Sequence, residues 1–284
     1  MGVLNVSPES FHAGSVRTSG AELLGAALSM VEAGAALIDI GARSTAPYLQ
    51  TEISETEERD RLARAVDLLA SKLPVPISAD TARPAPARAA LEAGARVIND
   101  VSGLRDPAVA ALVAEHTAGV ILMASPERGG SPEAPGLRQL PEPAADPVAS
   151  VRALLAAALG RARAAGILEE RIVVDPGIGF FRDEAVPWDE WDVAVLAGLE
   201  ALRSLGRPIC VGVSRKSFIG AITGRAGTEE RLPGSLAATA VAVWNGAALI
   251  RAHDVAETLD AIRVAERVRR ATMTRAMRGE GTDR

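Results

Sequence analysis

Aromatic side chains are scarce, since Phe, Trp and Tyr make up only 3% of the 284 residues. The core of this chain must therefore be built mostly from Ala, Val, Leu and Ile. A single cysteine, Cys210, excludes an internal disulfide, and its place in an apolar run makes it a small buried hydrophobe suited to a reducing compartment. Positive charge is not in excess: 31 Lys and Arg against 36 Asp and Glu give a net charge of -5. Such a balance offers no electrostatic footprint for nucleic acid. No apolar run reaches membrane-spanning length. Met1 leads directly into Gly2-Val-Leu-Asn-Val6 with no basic stretch ahead of an apolar one, so no secretory signal is read there. The expectation is a cytoplasmic protein with neither nucleic-acid nor membrane partners.

Hydrophobic residues make up 48% of the chain and charged residues 24%, enough to bury a large core. Short apolar runs alternate with longer Ala/Leu/Glu/Arg-rich stretches along the whole length, the pattern of βα units around a parallel sheet. The strand candidates are Gly2–Val6, Ala36–Ile40, Val75–Ala79, Arg96–Asn99, Gly119–Met123, Ile172–Val174, Ile209–Val213 and Ala248–Ile250. Apolar residues at three- and four-residue spacing predict helices over 22–33, 55–72, 84–93, 107–115, 147–164, 188–204, 233–244 and 255–272. About eight units at this length point to a single (β/α)8 TIM barrel over residues 1–273, with a flexible tail over 274–284. Between the fifth strand and its helix, Pro126 to Pro147 is rich in Pro, Gly and Glu, and reads as a solvated excursion.

Within the run Arg171-Ile-Val-Val-Asp-Pro-Gly-Ile-Gly-Phe-Phe181, three β-branched residues run into a carboxylate, a proline and two glycines. It reads as a buried strand that stops at a site, with Asp175 at the carboxyl end, where α/β sheets bind ligands. A carboxylate there can accept two parallel hydrogen bonds from a flat amidine-like edge, and Gly177 and Gly179 let a ring lie against bare backbone. Other strand ends carry Asn5, Asp39, Arg43-Ser-Thr45, Asp80-Thr81, Asn99-Asp100, Ser214-Arg-Lys216-Ser217, Arg251 and His253. Any one of these suits a helix cap or a turn. Together they describe a polar pocket above an apolar core.

The segments Leu4-Asn-Val-Ser-Pro-Glu-Ser-Phe11, Ile38-Asp-Ile-Gly41, Ser44-Thr45, Ile77-Ser-Ala-Asp-Thr81, Ile98-Asn-Asp100, Asp175-Pro-Gly-Ile-Gly-Phe180, Ser214-Arg-Lys-Ser-Phe-Ile-Gly220 and Arg251-Ala-His-Asp254 resemble, in order, the motifs of the dihydropteroate synthase family. Ser44-Thr-Ala-Pro-Tyr48 and Val186-Pro-Trp-Asp-Glu-Trp191 are similar to the archaeal members and to those of bacteria using methanopterin-type cofactors. The resemblance implies a TIM barrel, commonly a homodimer, that joins a pterin methyl diphosphate to an arylamine with loss of diphosphate. It implies a pterin site of Asp80, Asn99, Asp175, Gly179, Phe180 and Lys216, a diphosphate site of Asn5, Arg251 and His253, and Mg2+ held with the diphosphate at Asn5. Lys216, Arg251, His253 and Asp80 carry the catalytic roles, and Ser10, Phe11, Arg43, Ser44, Thr45 and Ser214 belong to the second-substrate loops.

Two departures bear on the amine. Ala13 stands where the family carries an aspartate, and Ala46 where it carries an arginine; Arg43 and Tyr48 replace a usual Glu and Gly. These changes point to an arylamine other than p-aminobenzoate, such as a ribosylated aminobenzene phosphate. Arg43 is a candidate contact for its phosphate, set against the plainer reading of a solvated loop charge. His12 sits in the first loop and His116 in a helical stretch at the surface. The alternatives are a pterin-dependent methyltransferase, which gives the cations Lys216, Arg251 and His253 nothing to neutralise, and a pterin-binding protein without synthase activity.

Overall fold

In a computed structural model, which describes residues 1–6, 20–43, 53–125, 146–181 and 186–277, the parallel strands are only two to five residues long. They are β1 (Gly2–Asn5), β2 (Ile38–Gly41), β3 (Ile77–Asp80), β4 (Val97–Asp100), β5 (Gly119–Met123), β6 (Ile172–Asp175), β7 (Cys210–Val211) and β8 (Leu249–Ile250). The first six pair in chain order in one sheet, and β7 pairs with β8. The ring is closed on both sides of that pair. Val174 bridges Ile209, and Gly2 bridges Ala252, with Val3 N–H donating to Ala252 C=O at 3.1 Å. Eight parallel strands in a closed ring form the expected (β/α)8 barrel.

Several strands begin and end later than their apolar runs. The third starts at Ile77 rather than Val75, because Pro76 has no N–H for the ladder; its carbonyl still accepts from Ile38 N–H at 3.2 Å. At the other end, the ladder takes in Gly41, Asp80, Asp100 and Asp175. The carboxylates at the barrel mouth are thus held by strand pairing rather than by loops.

The helices are α1 (Gly20–Glu32), α2 (Glu55–Ala70), α3 (Pro84–Glu92), α4 (Pro107–Glu115), α5 (Pro147–Ala164), α6 (Trp188–Ala197), α7 (Ser217–Thr223), α8 (Leu232–Trp244) and α9 (Val255–Met277). Side-chain caps mark three of their starts, at Ser54, Asp106 and Asp146. Each long helix buries one stripe against the strands, such as Leu62, Val66 and Leu69 of α2. Burial of each such leucine stabilises the fold by roughly 1.5–3 kcal/mol.

Three differences from the helical pattern are larger than a shift of one or two residues. The helix expected over 188–204 breaks at Gly198, where an added Cβ would stand 2.5 Å from Val148 Cγ2, and continues as a 3-10 turn over Leu199–Leu205. The last helix runs to Met277, past the expected end at Thr272. The sequence pattern does not mark the short α7, because its seven residues make only about two turns, too short a window for helical periodicity to register. The 126–147 excursion falls almost wholly outside the described residues.

Candidate active site

The strand ends converge on one pocket, lined by Asp80, Asn99, Val101, Met123, Asp175, Ile178, Phe180, Gly212, Lys216 and Arg251. Residues as far apart in sequence as Asp80 and Arg251 share it. Of the residues expected to bind a ring, Asp80, Asn99, Asp175, Phe180 and Lys216 line this space, and Gly179 lies directly under Lys216.

Asp175 ends β6. Its Oδ1 accepts from Gly177 N–H at 2.8 Å, so it also shapes the turn that follows. Burial pushes its pKa up, against the backbone bond from Gly177 and the charges of Lys216 and Arg251. Gly177 and Gly179 have φ of 72° and 84°, a left-handed backbone that favours glycine. Space requires glycine too: a Cβ on Gly177 would lie 2.4 Å from Ala124 O, and one on Gly179 2.9 Å from Lys216 Cδ. Gly179 N–H donates to Oδ1 of Asp192, a fully buried carboxylate on α6, at 2.8 Å. Next to it, Trp191 stacks on Phe181 with ring centroids 4.8 Å apart.

Lys216 is the N-cap of α7, and its Nζ sits 4.6 Å from the centre of the Phe180 ring. The ammonium is therefore held at the pocket wall by a cation–π contact. Arg251 reaches across the mouth, with Nε donating to Asp39 Oδ2 at 2.7 Å and Nη2 to Asp80 Oδ2 at 2.9 Å. Burial opposes its charge, but Asp39 and Asp80 outweigh burial and hold its pKa above the usual guanidinium value. Asp80 is raised from 3.8 to about 7, by burial first and by Asp39 and Glu58 as well, with Arg251 and Arg43 pulling the other way.

Asn5 ends β1, and its Oδ1 lies 3.2 Å from where a Cβ on Gly41 would stand, beside Asp80 Oδ2 at 3.7 Å from the same point. His253 and Ser214 are joined, with Ser214 Oγ 3.0 Å from His253 Nδ1 and accepting from His253 N–H at 3.3 Å. Ser214 is buried, so its hydroxyl serves His253. Neither residue lines the pocket. Asp100 is committed to its own turn, accepting from Ser102 N–H at 2.6 Å and Leu104 N–H at 3.2 Å.

Arg43 is not a solvated loop charge: its Nε lies 3.4 Å from Oε2 of buried Glu58. Glu58 also accepts from Thr81 Oγ1 at 2.6 Å and Arg83 Nη1 at 3.0 Å. The helical pattern of α2 concealed this, because one acid among several on a charged helix gives no sign of facing inward. Ser10, Phe11, His12, Ala13, Ser44, Thr45, Ala46 and Tyr48 lie outside the described residues. His116 is the C-cap of α4. Cys210 is fully buried, as expected, and burial, with Asp175 nearby, pushes its thiol pKa well up.

A family model described as pterin binding enzyme matches residues 1–253. The chain is 38% identical to the dihydropteroate synthase of Synechocystis sp. over 94% of its own length and 88% of the relative's. Two solved structures of the Xanthomonas albilineans dihydropteroate synthase superpose on it. The one with 4-aminobenzoic acid has a TM-score of 0.81 at 38% identity, covering 94% of this chain and 92% of the other. The one in complex with 7,8-dihydropteroate has a TM-score of 0.78 at 37% identity, with the same coverage.

Proposed function

The chain belongs to the pterin binding enzymes and, among them, to the dihydropteroate synthases, and on that premise we propose that it condenses a 6-hydroxymethyl-dihydropterin diphosphate with an arylamine in folate biosynthesis. The observation that carries the site assignment is the meeting of Asp80, Asn99, Asp175, Lys216 and Arg251 in one pocket. In this reading Asp175 accepts from the 2-amino group and ring N–H of the pyrimidine edge. Lys216 donates to its carbonyl and ring nitrogen, and Phe180 and Gly179 flank the ring.

The bond that breaks joins the methylene carbon to the diphosphate oxygen, which leaves with the electron pair. The bond that forms joins that carbon to the arylamine nitrogen, whose proton passes to water. Positive charge spreads over the ring as diphosphate departs, so stabilisation by fixed charge dominates. Asp80 and Asp175 favour the developing cation, Arg251, braced by two carboxylates, meets the leaving anion at the pocket, and His253, braced by Ser214 outside the pocket lining, would meet its far end. No covalent intermediate on the protein is required.

Among the described residues no group of three His, Cys, Asp or Glu gathers to hold a metal. A magnesium ion would therefore be held mainly by diphosphate oxygens and water, with the Asn5 amide oxygen as one hard ligand. Bound there, it would neutralise charge on the leaving group.

For the amine, p-aminobenzoate is the first candidate, because a relative 38% identical is described with 4-aminobenzoic acid, while Arg43, the candidate phosphate contact, has its Nε 3.4 Å from Glu58. The homodimer reading is supported by exposed apolar pairs on two adjacent helices, Val241 and Trp244 of α8 and Val264 and Val268 of α9. A cytoplasmic setting fits the lone, buried Cys210; no helix among the described residues is long and apolar enough to cross a membrane.

The test is a diphosphate-release assay on purified protein supplied with the pterin diphosphate and, in parallel, p-aminobenzoate or a ribosylated aminobenzene phosphate. Release that depends on both substrates and favours p-aminobenzoate is expected. Tight pterin binding without release under any amine would make the protein a binder rather than a synthase.

A further inference from the structure

We propose that Asp39 is a positioning residue of this site: its Oδ2 orients both the guanidinium of Arg251 and the side-chain amide of Asn99 into the pocket. The role rests on the pterin reading above and adds to it a residue that touches no ligand. Asp39 is fully buried in the β2 ladder and is not among the pocket-lining residues. Its Oδ2 accepts from Arg251 Nε at 2.7 Å and from Asn99 Nδ2 at 3.1 Å.

The consequence for Asn99 follows from donor and acceptor chemistry. The amide turns its NH2 group toward Asp39, with Nδ2 as the donor and the carboxylate oxygen as the acceptor. Its carbonyl oxygen is then directed away from Asp39, on a residue that lines the pocket. Position 99 thus offers the ligand an acceptor, and the ring edge that meets it must carry an N–H. For Arg251, the bond at Nε fixes the plane of the guanidinium, and the bond from Nη2 to Asp80 sets its rotation. A planar fork held at two points presents its remaining N–H groups in one direction.

Asp39 is poorly suited to a purely structural role. Its Oδ1 is buried with no hydrogen-bond partner among the described residues, and so is Oδ1 of Asp80. Two carboxylates share one guanidinium there. An unsatisfied buried carboxylate oxygen costs stability, and an uncharged residue on the strand would avoid that cost. What Asp39 gives in return is orientation of two pocket side chains at once.

The experiment compares the parent with Asp39→Asn, Asn99→Asp and the double variant, by calorimetric titration with 6-hydroxymethylpterin and by thermal melting. Asp39→Asn should bind roughly tenfold more weakly or worse, with little change in melting temperature. Asn99→Asp sets two carboxylates face to face and should also bind weakly. In the double variant the amide and the carboxylate have changed places: the amide now at position 39 can give its NH2 to the carboxylate now at position 99 and its oxygen to Arg251. Binding should therefore recover above either single variant. Parent-like binding by Asp39→Asn, a double variant no better than the singles, or affinity lost only in step with folded protein would each overturn the role. If Asp39→Asn does not fold, the double variant decides: binding within roughly tenfold of the parent supports the role, and weaker binding rejects it. A parent that binds no pterin would instead overturn the ring-site reading itself.

Discussion

Arg215 lays its guanidinium against both oxygens of Asp254, Nε to Oδ2 at 2.8 Å and Nη2 to Oδ1 at 2.7 Å. The pair ties the residue before Lys216 to the residue after His253, and so couples the turns that follow β7 and β8. Arg215 holds φ of 57°, an uncommon conformation for a non-glycine residue. Its N–H donates to Ser235 Oγ at 2.8 Å, its Nη1 to Thr228 C=O at 2.9 Å, and its C=O accepts from Arg231. Four side-chain and backbone anchors therefore maintain the strained turn that aims Lys216.

Arg215→Lys keeps the charge but loses the two-pronged fit. It should cost about 2 kcal/mol of stability and lower kcat/KM for the pterin substrate by roughly tenfold. Denaturant melts and steady-state kinetics check this. Parent-like kinetics would mean that the turn holds without the pair.

Asp175→Asn replaces a charged acceptor with an amide whose NH2 faces ring donors. Pterin binding should weaken by roughly 2–3 kcal/mol, because a buried donor loses its charged partner. Calorimetry measures the change directly, and unchanged affinity would remove Asp175 from the site.

The raised pKa of Asp80 carries a sign. The folded state binds this proton more tightly than the unfolded chain, since burial, with Asp39 adding to it, raises the pKa from 3.8 to about 7. Asp80 therefore favours folding most at low pH, and its contribution is lost as pH rises from about 4 to about 7. In Asp80→Asn, stability relative to the parent should improve across that window and level off above it. Melting curves from acid to neutral pH test this, and a pH-independent difference would contradict it.

Gly179→Ala places a methyl group 2.9 Å from Lys216 Cδ at a φ of 84°. The strain should cost about 1 kcal/mol or more, and the lysine must move off Phe180. Ring affinity should fall more than stability does, as titration and melting of the same variant would reveal.

The barrel was legible because apolar runs and helical periods alternate along the chain, interrupted only by the 126–147 excursion, and because carboxylates and amides stand just where the runs stop. The direction of those side chains was not legible. Asp39 was visible as a strand-end acid, but only the closed ring brings it to both Asn99 and Arg251. Glu58 and Asp192 sit on helices whose patterns mark them as surface-like, and both are buried where they hold a turn or a neighbouring strand end. A charged residue adjoining Trp191 on an otherwise apolar face was the one available sign for Asp192.

The most direct measurement is a crystal soaked with 6-hydroxymethylpterin. Ring density should lie between Phe180 and Arg251, with the 2-amino edge on Asp175, an N–H toward Asn99 and the carbonyl toward Lys216. Ring density elsewhere on the barrel, with this pocket left to water, would contradict the assignment.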